Sequence, residues 1–365
     1  MKGEVVHYRI FDVGASVNLE EMKRRVDMPF LSGHIVSERA APKYARLAQP
    51  FVVYIDRRAI ETNLGTITTD VSVRLYGIGA LAVVLRTSFE VENLRDLRAY
   101  ASLRIRAGGR EETLDEYCAR IAARIEEDLV PYFEDSYDVR VEPEPYTVYC
   151  ITVSEHPVRT FVEKWRREVT ALLANDPRPD DIGEKEVADT WRDWLSYYQD
   201  DLVVAEWDAA LVIEPTASYE DTLMVFEVAN LQLLELRTYD ALLDKVVEKA
   251  YDDLEDLFRR GSLFRSGGET VKELAALRMD LGEATFQVDN ISKLWGDWFL
   301  GKVYRSCARK FELESWRRIV AEKMQDLSEI YQVAQAESEA RRLIALEVLV
   351  VVLFVIDVVL IAFRP

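Results

Sequence analysis

The sequence LIALEVLVVVLFVIDVVLIAF, Leu343–Phe363, is apolar except for Glu347 and Asp357. At ~1.5 Å of rise per residue, a helix of this length matches the roughly 30 Å hydrocarbon core of a bilayer. The stretch therefore predicts a single C-terminal transmembrane helix, followed only by Arg364 and Pro365. Because such an anchor inserts after synthesis, we expect the preceding chain to stay in the cytoplasm, against the inner membrane if the source is bacterial.

Glu347 and Asp357 would lie inside the hydrocarbon, where a carboxylate is costly unless it is protonated, paired or facing protein. Glu347 could reach back toward Arg341 or Arg342, which precede the span. Three interpretations stay open: both carboxylates reach the membrane interfaces, both face a partner helix in an oligomer, or both line an ion path.

The residues before this stretch predict a helix from Glu312 onward. Val320, Leu327, Ile330 and Ala334 recur at helical spacing and form a narrow apolar stripe, typical of a helix that packs in a coiled coil or bundle. Because neither Pro nor Gly intervenes, we predict one continuous helix from the stalk into the membrane.

Further upstream, Ser218 and Asp221 fit the capping box of a long helix. A second helical pattern runs from Glu269 to about Trp298. These segments predict a stalk of long antiparallel helices over residues 216–341.

The first part of the chain mixes strand and helix patterns. Gly77 and Gly79 lie between two strand-like runs and predict a hairpin turn; no third glycine or helix follows, as a phosphate-binding loop would require. Helical spacing follows from Val91 to Leu129, on both sides of a break at Ala107-Gly108-Gly109. Strands are predicted at Glu4–Val13, Phe51–Asp56, Gly65–Tyr76, Ala80–Phe89, Val139–Val141, Tyr146–Val153 and Leu202–Ile213.

The predicted fold class is therefore α+β. It comprises a mixed α/β domain over residues 1–215, a helical stalk over 216–341 and a transmembrane anchor over 342–365.

The run EKEVADTWRDWLSYYQ, residues 184–199, predicts a helix with Trp191, Trp194 and Leu195 on one side. Trp207 falls in the next strand. Aromatic clusters of this kind usually belong to a core, and the alternative is an interface patch.

Composition excludes several function classes. A net charge of −19 argues against nucleic acid as the main partner, and against a body lying on anionic lipid. The cysteines and histidines are scattered without the spacing of a disulfide framework, a zinc site or a catalytic set, so we expect neither an enzyme nor a cofactor. They are Cys118, Cys150, Cys307, His7, His34 and His156.

The C-terminal half resembles the family named "required for meiotic nuclear division protein 1". The resemblance implies a membrane-anchored protein with an α/β body, a helical stalk, a terminal anchor and no agreed chemistry. It is carried by FEVANLQLLELRTYDALLD (226–244), GDWFLGKVY (296–304), FELESWRRIVAEKMQDLSEIY (311–331) and RRLIALEVLVVVLFVID (341–357).

These observations favour a non-enzymatic, tail-anchored scaffold. It would self-associate through its stalk and membrane helix and present an acidic α/β domain to an unidentified cytosolic protein. The alternative is a subunit of an oligomeric cation-conducting or cation-sensing complex. Its layout is similar to that of CorA-type magnesium channels, although this chain lacks their Gly-Met-Asn loop and second span.

Overall fold

The computed structural model describes residues 1–19, 21–22, 51–107, 109–137, 139–154, 156–260 and 297–362. The chain divides into two compact units. The first comprises Met1–Thr238 and Phe286–Trp316, and the second comprises Tyr239–Thr285 and Arg317–Pro365. A mixed sheet with packed helices in the first unit and long C-terminal helices confirm the α+β class. The predicted domain limits at residues 215 and 341 stay predictions.

Most of the described strands belong to one large sheet. The strands are β1 Lys2–Asp12, β2 Ala15–Val17, β3 Phe51–Thr62, β4 Gly65–Tyr76, β5 Ala80–Glu90, β6 Arg104–Ala107, β7 Arg110–Thr113, β8 Phe133–Ser136, β9 Glu144–Val153, β10 Leu202–Ala205 and β11 Ala209–Ile213. The sheet order is β10-β11-β9-β1-β5-β4-β3-β6-β7, and β2 pairs with β8. Only the β11–β9 pair among these described strands is parallel.

The described helices lie between and after the strands along the chain. They are α1 Arg98–Ala101, α2 Leu114–Leu129, α3 Val158–Leu173, α4 Glu184–Thr190, α5 Glu220–Arg260, α6 Trp298–Lys310 and α7 Leu313–Ala362. Short 3-10 turns cover Leu94–Leu97, Val130–Tyr132 and Pro179–Asp181.

The central strand β1 decides which helix covers which face of the sheet, because its alternate side chains point to opposite sides. Tyr8 and Ile10 belong to an apolar cluster with Phe226 of α5. On the opposite face, Val5 packs in a cluster with Phe161 of α3. A separate cluster on that face holds α2 with parts of β4 and β5.

Local sequence signals explain several boundaries. Thr113 and Glu116 form a capping box at the start of α2: the Thr113 hydroxyl accepts from the Glu116 N–H, and the Glu116 carboxylate accepts from the Thr113 N–H. Gly79 ends the predicted β4–β5 turn with a φ of 87°, which glycine adopts without steric penalty.

Four predicted elements differ in the structure. The strand predicted over Leu202–Ile213 forms two strands, β10 and β11, with Trp207 between them. Residues 139–141 form no strand, and the predicted helical stretch from Val91 to Leu129 is interrupted by the β6–β7 hairpin. Gly109, with a φ of 80°, supplies its turn. The helix predicted over residues 184–199 ends at Thr190. The helix predicted over residues 269–298 lies, up to residue 296, outside the described residues.

The predicted membrane anchor is wrong. α7 continues to Ala362, but among the described residues no helix is long and apolar enough to cross a membrane. The predicted localisation, a single-pass anchor with the body in the cytoplasm, is therefore corrected as well.

Candidate interaction surface

The structure describes the side chains of four of the sequence-predicted site residues. Val320, Leu327 and Ile330 of the stalk stripe are buried, whereas Glu347 is exposed. The side chains of Ala334, Arg341, Arg342 and Asp357 lie outside those that the structure describes.

The stalk stripe is covered by the chain itself. In the second unit, the Lys323 ammonium on α7 lies 2.6 Å from the Asp240 carboxylate and 2.5 Å from that of Asp244, both on α5. This contact holds two long helices together beside the buried stripe. A role of the stripe in association between copies stays a prediction.

Four aromatic side chains in the first unit form a cluster that we call the aromatic patch: Tyr197, Tyr198, Trp298 and Phe299. The Tyr197 ring centroid lies 4.6 Å from that of Tyr198, 5.7 Å from Trp298 and 5.6 Å from Phe299. Tyr197, Tyr198 and Trp298 are 48%, 66% and 60% exposed. Large aromatic side chains grouped at the surface are typical of protein interfaces.

The loop that carries the two tyrosines is held by its own backbone and by Asp201. Leu195 and Val203 exchange two backbone hydrogen bonds of 2.8 Å, which close the loop. The buried Asp201 carboxylate accepts from the N–H groups of Tyr197 at 2.7 Å and Tyr198 at 3.0 Å. These contacts hold the backbone of the loop that carries the two rings.

The other half of the aromatic patch begins α6. Asp297 caps this helix by accepting from the Phe299 N–H at 2.7 Å, which fixes Trp298 between them. Phe299 is half-buried and packs on the core. The Lys302 ammonium, one turn later, lies 4.1 Å from the Trp298 ring centroid.

Carboxylates border the aromatic patch. Asp297 directly precedes Trp298, and exposed Asp200 lies in the tyrosine loop. Burial raises the pKa of Asp221, and the neighbouring charges of Asp297 and Glu220 raise it further. The surface around the exposed rings therefore has an acidic character.

The sequence prediction located this region only partly. It considered Trp191, Trp194 and Trp207; Trp191 is buried, as a core residue would be, whereas the other two are exposed. It missed Tyr197 and Tyr198 as surface anchors because the helical pattern placed them in a helix. The doubled tyrosine followed by acidic residues was the available signal.

Among the ion pairs of the described residues, the most deeply buried one joins α5 to β4. The Glu227 side chain is 1% exposed and contacts the Arg74 guanidinium. It also accepts a 2.6 Å hydrogen bond from the Tyr76 hydroxyl. Each group of this cluster has a partner, so its arrangement is that of a structural contact.

His7 is buried on β1, on the same face of the sheet as Val5. Its Nδ1 lies 3.2 Å from the Thr147 hydroxyl, and within the described part of the chain its Nε2 has no hydrogen-bond partner. Burial lowers the pKa of His7 from 6.5 to about 3, and the nearby Arg9 lowers it further. The imidazole is therefore neutral at physiological pH.

His7 should make the folded state sensitive to acid. Between pH 6.5 and about 3, the imidazole is protonated in the unfolded chain and neutral in the folded one. The free energy of unfolding is therefore highest above pH 6.5 and decreases as the pH falls through this range. At pH 4.5 we expect a loss of about 2–3 kcal/mol from this group. Urea unfolding of the parent and of His7→Gln at both pH values measures it.

His156→Gln, which changes the half-buried histidine, is the matched control. We expect His7→Gln to flatten the pH dependence of the parent, and an equal flattening by His156→Gln would contradict the assignment. Equal slopes in all three proteins would contradict the assignment to His7.

The three cysteine thiols are buried below the surface. Burial raises the pKa of Cys118 to about 12, and Cys150 and Cys307 are buried free thiols with raised pKa values too. No group of three or more His, Cys, Asp or Glu side chains suited to a metal ion occurs in the described ranges.

The chain belongs to the family described as the N-terminal domain of the uncharacterized protein MJ0711, whose model matches residues 2–220. The protein MJ0711 of Methanocaldococcus jannaschii is 22% identical over 221 residues, which are 60% of this chain and 65% of that protein. The match thus spans less than two thirds of this relative. No solved structure matches the chain.

These findings correct the predicted resemblance to the meiotic nuclear division family. The family match lies on the N-terminal part, whereas that resemblance rested on the C-terminal half. Long amphipathic helices share an apolar pattern with many unrelated helices, so such a resemblance has little specificity. The matched range includes the tyrosine loop and ends before α6.

Proposed function

We propose that this member of the MJ0711 N-terminal-domain family is a non-enzymatic interaction protein that docks a basic segment of a protein partner on its aromatic patch. The proposal rests above all on one observation: three large aromatic side chains remain substantially exposed on a loop and helix end that are already ordered. An ordered surface loses little conformational entropy on binding.

The chemistry of the patch supports a basic partner. Aromatic faces attract cationic side chains, and carboxylates at the rim steer such a partner toward them. Asp200 has no ion pair with any described residue and so offers an uncompensated negative charge beside Tyr198. The net charge of −19 adds a long-range attraction of the same sign.

Binding of synthetic peptides tests the proposal. A lysine-rich peptide should bind the full chain, measured by fluorescence anisotropy, and a glutamate-rich peptide of equal length should not. Replacing Tyr198 and Trp298 together by Ala should weaken binding by about tenfold or more, since exposed aromatic anchors carry much of an interface's energy.

Tyr251→Ala is the matched control, because Tyr251 is an exposed tyrosine of the second unit. It should leave the affinity of the lysine-rich peptide unchanged. The proposal fails if the two patch substitutions have no more effect than this control.

Association of copies through α7 stays a prediction. Apart from Glu347, the side chains described between Leu343 and Val358 are apolar and exposed in the single chain, and exposed apolar area of this extent marks contact surfaces. Light scattering should then give a mass above the 42.0 kDa of one chain, and Glu347→Leu should alter it. A single-chain mass for the parent would contradict the prediction.

A further inference from the structure

In the aromatic patch, a cation of the same chain lies over the face of one ring. The Lys302 ammonium lies 4.1 Å from the centroid of the Trp298 ring. The two residues are four apart on α6, the spacing at which helical side chains meet. Within the described residues, exposed Lys302 has no ion pair with a carboxylate.

This contact is weak enough to be exchanged. At exposed sites a cation over an aromatic face contributes only modestly, because water competes for the ammonium. Trp is nonetheless the best aromatic acceptor of a cation. A second ammonium could therefore replace Lys302 without disturbing the fold.

The surroundings of Trp298 favour a positive charge. The centroid of the Tyr197 ring lies 5.7 Å from that of the Trp298 ring, and the ring planes meet at 48°. The two rings are therefore adjacent and tilted toward each other. Asp297 precedes Trp298 in the chain. Asp221 lies near Asp297, because the charge of Asp297 raises the pKa of Asp221. A cation held here faces two aromatic rings with carboxylates beside them.

We infer that Lys302 occupies the place that a partner's ammonium group takes, so that this site over Trp298, walled by Tyr197, binds a lysine side chain of the docked segment. The inference rests on the proposed function. Lys302 then acts as an internal competitor that lowers the affinity of the site.

Removal of the competitor tests the inference. Lys302→Met should raise the affinity of the full chain for the lysine-rich peptide roughly two- to five-fold, the range expected for one exposed cation–aromatic contact. Arg305→Met removes the same charge from an exposed position on the same helix and is the matched control. It should produce a smaller increase.

Replacing the lysines of the peptide by norleucine, which keeps the chain length without the charge, should abolish the difference between Lys302→Met and the parent. Equal gains for Lys302→Met and Arg305→Met would overturn the inference, because general electrostatics would then explain them. A lower affinity for Lys302→Met would also overturn it.

Trp298→Leu separates this failure from a failure of the proposed function. If this substitution leaves binding of the peptide unchanged, the aromatic patch is not the docking surface. Both the proposed function and the inference about Lys302 are then wrong. If it weakens binding while Lys302→Met matches Arg305→Met, the docking surface stands and only the competition by Lys302 is wrong. Thermal unfolding of each variant verifies that the fold is intact.

Discussion

Replacing Glu227 by Ala should lower the free energy of unfolding by about 3–5 kcal/mol, the usual effect of breaking a buried ion pair from one side. The Glu227 side chain on α5 is 1% exposed and contacts Arg74 on β4. Its removal leaves the guanidinium without its partner in a region of low dielectric constant. The Tyr76 hydroxyl also loses the carboxylate that accepts its 2.6 Å hydrogen bond.

Urea unfolding of single and double variants separates the loss of attraction from the burial of an unpaired charge. Arg74→Met combined with Glu227→Met removes both charges and keeps much of the volume, so it should be less destabilising than Glu227→Ala. A single variant that loses less than about 1 kcal/mol would show that water reaches Arg74 and that the pair contributes little.

The strands and long helices were predictable from local patterns. β4 and β5 follow runs of β-branched residues around a glycine turn, and both were predicted within a residue or two of their bounds. The long helix α7 starts within a residue of the predicted position. Where a pattern repeats over many residues, it determines the element with little help from tertiary contacts.

The contacts between distant residues were not predictable in this way. Arg74 and Glu227 are 153 positions apart, and nothing in either local sequence indicates that they meet. Tyr197 likewise meets Trp298 only because α6 packs beside the tyrosine loop in the first unit. The aromatic patch is therefore a product of tertiary packing.

The β6–β7 hairpin shows a different reason for failure. Its strands have four residues each, too short for an alternating pattern to stand out from the helical spacing on either side. In the sequence, the paired glycines at 108 and 109 predict a break between helices. Gly109 suits a hairpin turn, and only the pairing of β6 with β3 decides between a break and a hairpin.

Replacing Gly3 by Ala should cause the other large loss of stability, about 3 kcal/mol or more. Gly3 pairs with Phe89 of β5 and Ile151 of β9, next to a shift of register between β1 and β9. A Cβ atom at this position would lie 1.9 Å from the Cys150 carbonyl oxygen and 3.0 Å from the Ile151 Cα. Both neighbours are backbone atoms, so no side-chain rotation relieves the clash.

Gly77→Ala is the matched control for this substitution. A Cβ atom there would meet the Val17 carbonyl oxygen at 3.7 Å, an ordinary contact, so we expect a change within about 1 kcal/mol. Urea unfolding compares the two variants, and hydrogen exchange at the β1–β9 pair should rise only for Gly3→Ala. Equal stabilities would mean that β1 shifts away from β9 at little cost, which the central position of β1 in the sheet argues against, because a shift on one side also breaks its register with β5.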